Sequence, residues 1–431
     1  MSLTSRRAVI TGSAAFTPIG NDAASIWQTL CVGRSGVDVI QSFDASRLPC
    51  HFAGEVRDFV AKQYFSNKDP KEKEAGKGLR KMARAIQLGL VTSKLTMADA
   101  KVERGQLDST RFGVEFGCAM MAIELADLAA ASKLSSNGQP GQVSLQEWGA
   151  KGLDTIEPTW MLKYLPNMPA CHITILHDAQ GPSNSHTGGD ISGLQALGEA
   201  YRIIQRAQAD FMLAGAADSK MEPLVQARHN LFFPFTRRLD SPQSSVRPFD
   251  RDRDGCVLGE GSAIFAVEAL DHAQKRGAEI QAEIVGFGAA VDLTREGRGL
   301  AQAMRAALRD AGIAPADVDH VNAHGLATRE SDLWEGRGLR EVFGPDSPPV
   351  FAAKGFIGHC SAAAGAVELL FSLLALQNGA LPGSINCDYL DPECGVNVHT
   401  GLPRPINKPY ALKLGFTDLG QCAAIVLRRW D

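Results

Sequence analysis

An α/β fold with mixed or parallel sheets is predicted by three features of this chain. Short apolar runs of strand length alternate with helical segments along its whole length. Several of those runs end in a turn at Gly, which makes up 43 of the 431 residues. A second strand-plus-helix series opens near Glu283 and hints at two similar halves; no long linker separates them, so they are expected to pack as one body.

Arg7 to Gly12 reads as a buried strand and a turn, and residues 79–98 carry apolar positions at helical spacing, among them Leu79, Met82, Ile86 and Leu90. Phe112 to Phe116 reads as a strand. Residues 133–160, rich in Ser, Gly, Gln and Trp, read as a surface insertion. Ala209 to Gly215 is a further strand, residues 224–260 show few periodic signals, and Gly261 to Ala269 is a strand again. In the second series, Ala282 to Gly288 is a strand and about Gly299 to Asp310 a helix. Val318 to Ala323, Val350 to Ala353 and Ala423 to Leu427 are the later strands.

Composition excludes several functions. With 44 basic and 48 acidic residues the net charge is −4, so nothing electrostatic points to nucleic acid. The nine cysteines are odd in number, scattered and without a C-x-x-C pair, which argues against a disulfide framework and a zinc site and fits a cytoplasmic setting. The most apolar stretch, Ser361 to Leu376, includes Glu368 and is expected to be too short to span a bilayer.

Four segments carry chemistry. Gly181 to Gly198 passes from a turn through small residues into a helix, with Asp190 at the helix start. Backbone N–H groups and the helix dipole favour negative charge there, and Asp is also a preferred N-cap, which alone would account for it. Val321-Asn-Ala-His324-Gly325 delivers a His from a strand end, followed by Thr328, Asp332 and Glu335. Ala353-Lys354 and Gly358-His359-Cys360 lead into a small-residue helix with Glu368; packing plus a solvated Lys is the plainer reading. Arg247-Pro-Phe-Asp250, with Arg253 to Gly261, is a charged Gly-rich loop before a strand.

In this order, these segments resemble the β-ketoacyl-acyl-carrier-protein synthases of the thiolase-fold superfamily. Thr17-Pro-Ile-Gly20, Arg111-Phe-Gly-Val114, Leu381-Pro-Gly-Ser-Ile-Asn386 and Gly415-Phe416 extend the resemblance over nearly the whole chain. It implies a thiolase-like fold with two halves, 1–269 with cap insertions and 270–431, stacked in a five-layer α-β-α-β-α arrangement and assembled as a dimer. It also implies acyl and malonyl substrates carried on the phosphopantetheine of an acyl carrier protein, with no metal and no other cofactor. The two family His map onto His324 and His359, the Lys and its Glu partner onto Lys354 and Glu368, the oxyanion or gate Phe onto Phe416, and one pantetheine contact onto Thr328.

The nucleophile departs from that pattern. Where the family reads Ala-Cys, this chain reads Gly189-Asp190. A carboxylate is a poor nucleophile for thioester exchange, and any acyl anhydride would hydrolyse readily. Cys360 reads as a packing residue, and the last Gly-rich loop reads Gly415-Phe-Thr-Asp-Leu-Gly420. The expectation is a condensation-deficient relative with malonyl-carrier-protein decarboxylase chemistry resting on both His. The alternatives are a chain-length-factor-like partner in a heterodimer with an active ketosynthase, and a divergent condensing enzyme.

Overall fold

The computed structural model describes residues 6–345 and 347–431. Ten strands form its main sheet: β1 (Ala8–Phe16), β2 (Phe112–Gly117), β3 (Ser183–His186), β4 (Phe211–Asp218), β5 (Gly261–Ala269), β6 (Ala282–Val291), β7 (Val318–Ala323), β8 (Val350–Ala352), β9 (Tyr410–Phe416) and β10 (Gln421–Arg429). The helices that frame the site are α1 (Arg84–Asp99), α2 (Met168–His177), α3 (Ser192–Gln205), α4 (Pro223–Phe232), α5 (Arg298–Ala311), α6 (Arg329–Phe343) and α7 (Ala364–Asn378).

The strand order β3-β2-β4-β5-β1 is repeated by β8-β7-β9-β10-β6. Strand senses repeat as well: β2 runs parallel to β3 and β4, and β7 to β8 and β9, while the remaining neighbours in each set are antiparallel. The two sets join where β1 pairs with β6, Ala8 opposite Ile284. The repeat suspected near Glu283 is therefore a repeat of topology.

Helices α3 and α7 lie between the two sets of strands, with α1 and α2 outside one set and α5 and α6 outside the other. This is the α-β-α-β-α layering. Position dictates pattern: every residue of α7 from Ala364 to Leu376 is buried, because both faces are covered, whereas α5 buries only a stripe that includes Leu300, Met304 and Leu308. Gly193 and Gly365 let α3 and α7 cross closely; a Cβ at Gly365 would lie 2.6 Å from Leu194, and one at Gly193 3.0 Å from Ala366.

Several expectations change. The helix expected over 79–98 starts at Arg84; Leu79–Lys81 is a separate 3₁₀ turn, and extended Ala83 breaks the run. Residues 224–260 hold helix α4, announced only by Pro223 at its first position. Strand β9 escaped detection because Lys413 interrupts its apolar run. The apolar helical stretch runs on from Ser361 to Asn378, 18 residues, so length alone does not exclude a span; 83% of it is buried inside the fold, as a core helix requires.

Candidate functional site

The repeated topology brings the starts of α3 and α7 together, and with them Asp190 and His359. Strands β7 and β9 end beside them, carrying His324 and Phe416. Asp190 is not the helix cap: α3 begins at Ser192, its cap position is Ile191 with no side-chain bond, and the Ser192 hydroxyl donates to the Gly189 carbonyl at 2.6 Å. Gly189 takes φ +63°, which turns the chain so that the carboxylate faces across to α7. There Asp190 Oδ1 lies 3.1 Å from His359 Nε2. Burial works to raise the Asp190 pKa, but His359, Lys354 and Lys220 outweigh it and hold the carboxyl below its usual range. The Asp190 side chain keeps 18% exposure against 3% for His359, so the carboxylate is the opening of the site and the imidazole its wall.

His324 is held from behind. Its N–H and that of Gly325 donate to Glu335 at 2.6 and 2.8 Å. The Lys354 ammonium donates to the His324 carbonyl, to His324 Nδ1 at 3.2 Å and to Glu368 Oε1 at 2.8 Å. Lys354 is fully buried, so the reading of a solvated Lys is overturned; the strand end and α7 close over it. Lys413, which the sequence reading passed over, donates to the Ala323 carbonyl at 2.8 Å and makes an ion-pair contact with the second Glu368 oxygen, off the line of an aligned hydrogen bond.

Burial, reinforced by Lys354, His359 and Lys413, holds the His324 pKa well below the usual imidazole value. His324 is therefore neutral. Because an ammonium donates to Nδ1, the ring proton sits on Nε2, which is buried and has no partner. The arrangement offers one preorganised N–H donor beside a carboxylate–imidazole pair.

Aromatic rings close the wall. Phe416 packs on His324 at 4.6 Å between centroids and on Trp334 at 4.4 Å, and Phe233 of the segment after α4 stacks on His359 at 6.1 Å. Thr328 stands at the N-cap of α6, where its hydroxyl accepts from the Ser331 N–H at 3.2 Å. The charged loop around Arg253 acts from below: its buried guanidinium donates to the Thr328 and Arg329 carbonyls at 3.1 Å and pairs with Asp391 at 2.7 Å. Asp332 accepts from the Phe249 and Ala327 N–H groups, and burial pushes its pKa up to about 6.

No thiol reaches this chemistry in reactive form. All nine cysteines are free. Cys360 is fully buried, lies 3.5 Å from the Glu260 carbonyl, and burial raises its pKa well above the usual value. Among the described residues, no group of three or more His, Cys, Asp and Glu side chains is arranged to hold a metal.

Comparison with known proteins shows the family. Residues 5–273 match the family model of the β-ketoacyl synthase N-terminal domain, and residues 278–388 that of the C-terminal domain. The chain is 32% identical to a 3-oxoacyl-acyl-carrier-protein synthase 2 of Vibrio cholerae, covering 99% of this chain and 100% of the relative. It is 33% identical to the protein of that name from Coxiella burnetii, over 98% of this chain and 99% of the relative. Among solved structures, a β-ketoacyl synthase from Burkholderia phymatum superposes with a TM-score of 0.86 at 27% identity, over 99% of this chain and 100% of that one. The ishigamide ketosynthase/chain length factor gives 0.85 at 25%, with the same coverage. The chain belongs to the β-ketoacyl synthase family.

Proposed function

We propose that this chain acts on acyl or malonyl groups carried by an acyl carrier protein in fatty-acid or polyketide synthesis, is deficient in condensation, and decarboxylates malonyl-carrier protein. The observation that carries the reading is the buried, unpartnered Nε2 of His324 beside a site whose first helix presents Asp190 instead of a thiol. Without a nucleophile of thiolate quality there is no acyl-enzyme, so no second substrate to condense with. A donor aimed at the thioester oxygen still serves decarboxylation. As the bond between Cα and the carboxylate breaks and carbon dioxide leaves, the electron pair becomes an enolate whose oxygen His324 would stabilise, and Cα then takes a proton from water. The reaction needs no metal or cofactor beyond the substrate's phosphopantetheine arm. Lys354 and Glu368 hold the donor, Phe416 walls it, and Thr328 would contact the arm. A cytoplasmic location fits the nine free thiols.

One observation favours a second reading. Asp190 already occupies His359 Nε2, so one of the two imidazoles is spoken for within the resting chain. A subunit that shapes an acyl tunnel for an active ketosynthase partner would tolerate this, and one structural relative is a ketosynthase/chain length factor.

Incubation with malonyl-carrier protein, following acetyl-carrier protein and carbon dioxide, separates the two. Release that is lost in His324→Ala and His359→Ala supports decarboxylation. No release, together with co-purification with an active ketosynthase, sinks it in favour of the partner subunit. An Asp190→Cys variant should gain a covalent acyl adduct visible by mass spectrometry.

A further inference from the structure

The charges behind His324 contain one more cation than an ion pair needs. Glu368 on α7 has Lys354 against one carboxylate oxygen and Lys413 against the other, and all three side chains are fully buried. Lys413 comes from β9, where it lies level with Asn322 of β7, and its ammonium also donates to the Asn322 and Ala323 carbonyls at 3.3 and 2.8 Å. A buried Lys–Glu pair is complete with one cation; a second costs several kcal/mol of desolvation. Burial accordingly brings the Lys413 pKa down to about 8, against the pull of Glu368.

We propose that Lys413 is a positioning residue that, by holding the second oxygen of Glu368, keeps the Lys354 ammonium on Nδ1 of His324 and so fixes the His324 proton on Nε2. Lys354 has three N–H groups and three acceptors: Glu368 Oε1, the His324 carbonyl and His324 Nδ1. The Nδ1 contact, at 3.2 Å, is the longest and goes to a neutral acceptor. With Lys413 gone, Glu368 Oε2 would face a dry interior with no partner of its own, while Lys354 stays on Oε1. The nearest cation that could swing onto both oxygens is Lys354, and the contact it would give up is the one to Nδ1. His324 would then be free to take its other tautomer, leaving a lone pair where the site needs a donor. Lys413 also ties the carbonyls of the two residues just before His324, so the strand end and the ring are set by one cluster.

The inference rests on the proposed reading only where it assigns His324 a use in decarboxylation; the tautomer can be read without any activity. The test is ¹⁵N-histidine NMR of the full chain, with the His324 signals assigned by their loss in His324→Ala. The native protein is expected to show protonated Nε2 and unprotonated Nδ1. Lys413→Met is expected to move these signals toward a tautomer mixture and to lower kcat for acetyl-carrier-protein formation about a hundredfold with KM little changed. Lys413→Leu, which keeps an apolar side chain and no donor, gives the same reading where the Met variant does not fold. Adding Glu368→Gln to either variant removes the carboxylate that draws Lys354 away and is expected to restore the native tautomer. A native protein without the Nε2 proton, a folded single variant that keeps it unchanged, or a double variant that stays mixed would each overturn the proposal. A native protein that shows the expected spectra but releases no carbon dioxide fails the decarboxylase reading and leaves this one standing.

Discussion

Behind His324, two ammonium groups share one carboxylate, a second carboxylate ties two backbone N–H groups, and four charged side chains are shut away from water. Across the site, Asp190 and His359 share a single contact of 3.1 Å, the carboxylate stays partly open, and His359 Nδ1 has no partner. The first group is interlocked, each ammonium holding both the shared carboxylate and a backbone carbonyl. The second is two side chains that satisfy each other and could let go. Rigidity is thus concentrated on the donor the proposed chemistry uses, and freedom on Asp190.

That contrast can be tested in order of expected effect. Glu368→Ala leaves two buried ammoniums uncompensated and should cost about 3–5 kcal/mol, read as a fall in the urea midpoint. A loss below about 1 kcal/mol would mean that water reaches the cluster and the rigid side is not rigid.

Glu335 gives the next largest signal, and it is a pH effect. Burial pushes its carboxyl from 4.5 up to about 7, against the His324 and Gly325 N–H groups. The native state therefore binds a proton that the unfolded state has released between those values, and this contribution to stability falls as pH rises through the window. The slope amounts to roughly 3 kcal/mol across it. Urea titrations from about pH 4.5 to 7 should show that decline in the native chain and a flatter curve in Glu335→Gln; equal slopes would remove Glu335 from the lattice.

Asp190→Asn should do least. Its contact with His359 is partly open to solvent, so the loss at neutral pH is expected to be about 1 kcal/mol or less. Because the folded carboxyl is held below 3.8, its contribution is present above that value and disappears as pH falls through the folded value. The native chain and the Asn variant should therefore converge in stability in acid. A cost as large as that of Glu368→Ala would erase the difference between the two sides.

Much of the site was legible in the chain. His324, Lys354, His359, Glu368 and Asp190 each follow a strand or open a helix in segments rich in Gly and Ala, and a Gly turn beside a polar side chain is readable without a fold. Lys413 was not legible, because a Lys within an apolar run signals a surface position, and only the ions packed on it make burial tolerable. Asp332 and Glu335 stood out in the sequence only as acids following His324; the fold turns them back to accept the Ala327 and His324 N–H groups. Helix α4 was missed because its buried residues, Gln226 and Asn230, are polar and leave no apolar stripe.

Sequence by itself determined the α/β class, the place of most strands, the family resemblance and the absence of a thiol at the start of α3. These depend on local periodicity and on residue identity, which need no third dimension. Tertiary structure alone decided that Asp190 faces His359 rather than capping its helix, that Lys354 meets Nδ1 of His324 while Nε2 is left without a partner, and that Glu368 is shared by two lysines. Each of those is a choice among partners far apart in the chain, made by which side chains the repeated topology shuts away from water together.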